Sequence, residues 1–317
     1  NSMITDDDPT HRRLKNLVHK AFLPRSVEKL GAHLEAYADS LLDEAEPQGE
    51  VDLISAYSNP IPMEAISRML GVANSDTYQL KAGMQVLSKG FSGLRIIHGM
   101  FWGLPKMVKF TRQLIERKRQ EPGDDMLSDL IQAEDEGEKL SEDELVTMVL
   151  LLIIAGFETT VHLINNAVIT LLSHPDQLLL LREQPELMDS AIEEVQRFNG
   201  PIGGTKPHYA VEDIELKGVT IPKGSMVMTL LNAANHDPQA FENPEVFDIT
   251  RHPNRHMGFG MGVHYCLGAS LARLEVKVAL NKLLGRNPNL RLAVPEDALE
   301  KIHAPLQTRY QSVPVVF

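Results

Sequence analysis

A single cysteine, Cys266, stands in a chain of 317 residues. One sulfur excludes an internal disulfide framework and any zinc site built from several cysteines. It is compatible with a reducing compartment. Positive charge is in deficit: 31 Lys and Arg against 43 Asp and Glu leave a formal net charge of -12. That balance argues against nucleic acid as the main partner. Long hydrophobic runs are missing too. The most apolar stretch, Met148 to Phe157, is too short to cross a bilayer and ends against Glu158. It reads as a buried helix, so no membrane span is expected and the expected location is cytoplasmic. An opening strand and a leader are also lacking. Asn1-Ser2-Met3-Ile4-Thr5 runs almost directly through Asp8-Pro9 into a helix. The expectation is a chain incomplete at its N-terminus.

The composition that remains is globular, and the length allows a large core. No repeat and no clean linker interrupts it, so residues 1–317 are read as a single domain. Most of the chain carries helical periodicity. Helices are expected from Pro9, from Ser26 to about Glu44, and from Val51 through Leu70, the last interrupted by Pro60 and Pro62. Two more flank a glycine-rich connector from Gly90 to Gly103. A charged surface turn is expected from Glu134 to Lys139. Ser141 with Glu144 three residues on forms a capping box, and the helix it starts should run to about Ser173. Further helices are expected over Asp176–Arg182 and Pro185–Phe198. Beyond Gly203 the pattern changes. Asp213–Leu216 and Val219–Ile221 flank Lys217-Gly218 as a hairpin. A long irregular stretch, Phe241 to Gly262, follows and suggests a scaffold for a site. The fold class is mainly α with a minor β-sheet region.

Two stretches carry chemistry. The first is Phe259-Gly260-Met261-Gly262-Val263-His264-Tyr265-Cys266-Leu267-Gly268, a glycine-rich loop that turns into a helix. Free amides at a helix start stabilise a thiolate. A thiolate is a strong axial ligand for haem iron. Taken alone, the spacing leaves three readings open: a buried inert cysteine, a nucleophile, or a metal or haem ligand. The second stretch is Ala155-Gly156-Phe157-Glu158-Thr159-Thr160, inside the long apolar helix. A glycine, an acid and two threonines are costly there. They mark either a packing notch or a groove where a ligand meets backbone and hydroxyl. Glu194 and Arg197 share a helix face, which alone is an ordinary pair.

Together and in this order, these segments resemble the haem-thiolate monooxygenases, the cytochromes P450, in their soluble bacterial form. The cysteine loop matches the family's Phe-Gly-x-Gly-x-His-x-Cys-x-Gly at every fixed position. Ala155-Gly156-Phe157-Glu158-Thr159 matches its oxygen-activation segment, and Glu194 with Arg197 its Glu-x-x-Arg. The resemblance covers nearly the whole chain, from that fold's third named helix onward. It implies haem b (iron protoporphyrin IX) held between the long central helix and the cysteine loop.

The resemblance also implies residue roles. Cys266 would ligate the iron, shielded by Phe259, with Gly260 and Ala155 against the cofactor. Gly156 would make room above it. Glu158 and Thr159 would relay protons to dioxygen. His11, His264, Lys15 and His208 would meet the haem propionates. Lys15 and His208 stand where arginine is common, and lysine lacks the bidentate fork. Glu194, Arg197 and Arg251 would brace the cysteine loop. Arg309 is given no catalytic role.

The implied reaction is hydroxylation or epoxidation of a lipophilic small molecule: a polyketide, fatty acid, steroid or terpene. Its electrons would come from a ferredoxin or flavodoxin and an NAD(P)H-dependent reductase, with Arg273 and Lys277 as candidate docking cations. Met84, Leu87, the region from Phe91 to Phe101, and Met226 to Leu230 are candidate pocket walls. A peroxide-driven peroxygenase and a non-catalytic haem-binding fragment or sensor are the alternatives.

Overall fold

The computed structural model describes residues 2–19, 22, 27–89, 99–133, 140–302 and 306–317. The stretch from Glu134 to Lys139 and most of the glycine-rich connector lie outside the described residues. The helices up to the middle of the chain are α1 (Thr10–His19), α2 (Gly31–Ala45), α3 (Pro60–Met69), α4 (Thr77–Lys89), α5 (Leu104–Gln120) and α6 (Met126–Ala133). They are followed by α7 (Glu142–Ser173), α8 (Pro175–Glu183), α9 (Met188–Asn199), α10 (Leu231–Asn235) and α11 (Ala269–Arg286). The strands are β1 (Glu50–Asp52), β2 (His208–Tyr209), β3 (Ile214–Leu216), β4 (Val219–Ile221), β5 (Met226–Val227), β6 (Arg291–Leu292) and β7 (Pro314–Val316). The architecture is mainly helical with small sheets, as expected.

Helix α7 is the axis of the fold. Its start is fixed by the capping box: the Glu144 amide donates to Ser141 Oγ, and the Ser141 amide donates to the Glu144 carboxylate at 2.9 Å. Helices α3, α5, α9 and α11 pack around it. That enclosure explains why it is apolar on nearly every side, with Leu145, Val149, Ile153, Val161, Ile164 and Val168 all buried. It is the one helix among the described residues long and apolar enough to cross a membrane. Its most apolar window is 61% buried inside the protein, which marks a core helix.

One expected helix start is a strand instead. Val51-Asp52 belongs to β1, which pairs antiparallel with β7, Val51 opposite Val315. The Asp52 carboxylate explains the sharp change that follows. It accepts from the amides of Val313, at 2.8 Å, and of Ser55, at 3.2 Å. One bond ties the strand to the tail, and the other opens the wide turn at Ile54–Ser58 that leads to α3. The hairpin does form as read: β3 and β4 pair around Lys217 and Gly218, both at positive φ, as a two-residue turn requires.

The irregular stretch between α10 and α11 is held from inside by α9. Glu194 and Arg197 are fully buried and joined through two bonds of 2.8 Å. Arg197 also donates to the carbonyls of Asn235, Pro244 and Val246. Arg251 reaches the same Glu194 carboxylate at 3.1 Å, and Asn254 at 3.0 Å. A segment without regular hydrogen bonding thus has its backbone groups satisfied by two guanidinium forks.

Candidate active site

A cavity of about 500 Å³ lies between α7 and the cysteine loop. Helix α7 lines it with Ala155, Gly156, Thr159 and Thr160; the loop contributes Phe259, Gly260, His264 and Cys266. His11 and Lys15 enter from α1, and His208 from β2. So the fold brings together every expected site residue except Glu158. Apolar wall comes from Ile66, Met69, Met126, Leu151 and Leu163. The walls proposed from sequence fall elsewhere. Met84 is buried in the core, whereas Met226 in β5, and Met228 and Leu230 just beyond it, are exposed. Of Leu87's side chain and residues 91–98 nothing is described. A second, more open depression, lined by Glu296, Asp297, Leu299, Glu300 and Lys301, shares no residue with this cavity.

The loop's shape follows from its glycines. Gly260 and Gly262 sit at φ of 72° and 69°, a region that side chains rarely enter. The turn they allow lets the Cys266 amide donate to the Phe259 carbonyl at 2.8 Å. Cys266 is open on its cavity side and surrounded by protein elsewhere. Burial therefore raises the thiol's pKa, while the Gly268 backbone and the charges of Arg273 and Lys15 oppose the rise. The helix start alone does not make a thiolate here. A coordinated metal would, since it deprotonates a thiol outright.

One end of the cavity is basic. The His11 ring bonds the carbonyls of Met3 at 2.7 Å and Val263 at 2.9 Å, and lies 4.0 Å from the His264 ring. Lys15 donates to the carbonyls of Val263 and Tyr265. These contacts strap α1 to the cysteine loop. Lys206 also lines the cavity and went unread in the sequence. It lies two residues before His208, and both line the cavity. Burial, then the neighbouring His11, Lys206 and His208, depress the pKa of His264, with Asp7 opposing. That is a cluster poised for an anion.

On the α7 side, Thr159 Oγ1 donates to the Ala155 carbonyl at 2.6 Å, bonding back one turn. Glu158 points elsewhere. Its carboxylate is buried in an ion pair with Arg309, itself buried. His162 Nε2 is 4.0 Å from the same carboxylate. Burial, then the Arg309 charge, pushes the His162 pKa down to about 4. Arg309 enters this cluster although the sequence offered no sign of it, lying 151 residues from its partner.

Behind the loop, the two expected docking cations are already engaged. Arg273 pairs with Glu193 at 2.5 and 2.8 Å, and Lys277 with Asp189 at 2.8 Å.

A flat iron macrocycle with two carboxylates asks for a soft axial donor, apolar faces and cations along one edge. Cys266, the walls around Leu163 and Ile66, and the His11–Lys15–Lys206–His208–His264 end supply all three. Haem b fits the residues present. Fold and site together define a haem-thiolate oxygenase. The sequence profile of the cytochrome P450 family matches residues 63–303. Cytochrome P450 107B1 of Saccharopolyspora erythraea is 42% identical over 313 residues, 99% of this chain and 76% of that protein. Two solved structures overlay closely. The Bacillus subtilis bacillaene polyketide synthase P450 PksS gives a TM-score of 0.94 at 38% identity, covering 100% of this chain and 81% of that one. P450BioI, in complex with an acyl carrier protein bearing hexadec-9Z-enoic acid, gives 0.92 at 39% identity with the same coverage.

The chain belongs to the cytochrome P450 family. It is an oxidoreductase, a haem b monooxygenase of the bacterial type.

Proposed function

We propose that this protein, as one domain over residues 1–317, hydroxylates or epoxidises a long acyl chain or polyketide. The supporting observation is a single cavity whose walls hold both Cys266 and the Gly156–Thr159 groove. Bound haem b supplies electron uptake and O2 activation. The Cys266 sulfur would ligate the iron, with the Phe259 ring shielding it. His11, Lys15, Lys206, His208 and His264 would hold the haem carboxylates. Gly156 would leave room for the macrocycle: a Cβ there would meet only Ile66, at 3.4 Å. Thr159, whose proton is committed to Ala155, offers its oxygen to donors in the cavity. A proton role for Glu158 requires its pair with Arg309 to part.

The apolar walls suit a lipophilic substrate. PksS serves polyketide synthesis, and P450BioI was captured with a carrier-bound fatty acid; the same substrate chemistry is proposed here. Electrons come singly from a ferredoxin or flavodoxin with its NAD(P)H-dependent reductase. A cytoplasmic location goes with that supply.

The test is spectroscopic. Reduced, haem-loaded protein should give the thiolate-type carbon monoxide band, and Cys266→Ser should lose it. Long-chain acyl and polyketide probes should then shift the haem spectrum. A wild-type protein with a thiol-type band only would sink the ligand assignment. A thiolate band with no shift from any lipophilic probe would sink the substrate class.

A further inference from the structure

Arg273 read from sequence as a surface cation for a redox partner. Its side chain is 35% exposed, yet its contacts are those of a strut. Its guanidinium is held on three sides. The Glu193 carboxylate of α9 accepts from Nε and Nη2. The Tyr265 hydroxyl lies 3.3 Å from Nη1. The Phe259 ring lies under the guanidinium carbon, 4.4 Å from ring centroid to Cζ. Phe259 is 7% exposed, and its carbonyl takes the Cys266 amide. The same Glu193 carboxylate holds His256 at 2.9 Å, and the His256 ring lies 6.0 Å from Phe259. Burial alone would raise the Glu193 pKa, but bonds from Arg273 and His256 hold it at about 2. The anchor is therefore ionised at any working pH.

We infer that Arg273 is a positioning residue for the cysteine ligand. It locks the Phe259 ring and the Tyr265 turn against α9 and brings a fixed positive charge to the sulfur. The geometry needs a planar cation. A guanidinium can fork to a carboxylate and stack on a ring at once, and an ammonium cannot. Through Tyr265, the residue before Cys266, and Phe259, whose carbonyl takes the Cys266 amide, the geometry sets the Arg273 charge beside the turn that carries the sulfur. Next to a thiolate–iron pair it would favour the reduced, more negative state, and so raise the reduction potential. The inference rests on Cys266 being the iron ligand.

The experiment uses haem-loaded protein reduced chemically, with no redox partner present. Arg273→Gln should move the potential to more negative values. It should also raise the thiol-type share of the carbon monoxide complex at least twofold. Arg273→Lys keeps the charge and loses fork and stack. It should hold the potential near wild type while the thiol-type share still rises, which keeps the idea testable if the Gln variant loses haem. Lys277→Gln, on the same helix, should change neither quantity. Wild-type spectra and potentials in both Arg273 variants, with only partner-driven reduction slowed, would overturn the inference in favour of docking. A wild-type protein without a thiolate band would instead refute the ligand assignment itself.

Discussion

Glu158 turns its carboxylate away from the cavity that its neighbour Thr159 lines and closes a buried ion pair with Arg309. Glu158 is 8% exposed and Arg309 6%. Removing one partner of such a pair strands a charge and costs about 3–5 kcal/mol. Arg309→Leu should therefore lower the denaturation midpoint clearly. It should also let the His162 pKa climb from about 4, because the Arg309 charge helps hold it down. Glu158→Gln added to Arg309→Leu should restore part of the stability. Urea titration and His162 proton resonances report both effects. An unchanged midpoint in Arg309→Leu would mean the pair does not form in solution.

Arg197 sits fully buried inside the network that braces the irregular stretch. All three of its nitrogens donate, to Glu194 and to three carbonyls of the irregular stretch. Lysine cannot reproduce that fork. Arg197→Lys keeps the charge but strands acceptors, at about 1–3 kcal/mol for each, and should reduce haem retention, because the stretch it braces leads into the cysteine loop. Arg68→Ala, which breaks a half-exposed pair with Glu64, should cost less than about 1 kcal/mol. Equal effects from the two would remove the bracing role.

Local grammar made some of this readable. The loop before Cys266 needs glycine at two left-handed positions, and the residues that meet that need sit within ten of one another. The start of α7 was equally legible, since Ser141 and Glu144 satisfy each other. Partners distant in sequence were not legible. Arg309 reaches Glu158 only once the tail folds back on α7. Lys206 gains meaning only beside His264. Val51-Asp52 looked helical because the strand that captures it, β7, lies at the far end of the chain. Met226–Leu230 alternates as a strand should, but alternation does not say which face meets a cavity, and here those side chains meet solvent.

Thr159 allows a clean separation of folding from chemistry. Its hydroxyl bonds to Ala155 on its own helix, at 2.6 Å. Thr159→Val keeps the shape and removes the hydroxyl, at about 1 kcal/mol of stability. Product formed per NAD(P)H consumed should fall severalfold, with reduced oxygen species taking the difference. Thr159→Ser should keep most of the coupling. A Val variant as tightly coupled as wild type would leave Thr159 with no part in proton handling.

Glu275 of α11 is 0% exposed, and among the described residues its carboxylate has at most a weak contact, from the Thr160 hydroxyl. Burial lifts its pKa from 4.5 to about 8, with the Thr160 hydroxyl, from the cavity wall, opposing. The folded protein thus keeps a proton that the unfolded chain releases. Its stabilising effect is complete below pH 4.5 and is gone once the pH has risen through about 8. Each pKa unit is worth about 1.4 kcal/mol, so the loss is of the order of a few kcal/mol. His162 works in the opposite sense. Its pKa is depressed from 6.5 to about 4, so its contribution is present above 6.5 and fades as the pH falls towards 4. Glu275→Gln mimics the protonated acid without titrating. It should flatten the decline in unfolding free energy on the alkaline side and leave the acid side alone. Urea titrations across the range separate the two limbs. An alkaline limb that is as steep with glutamine as with glutamate would mean the proton is not held at Glu275.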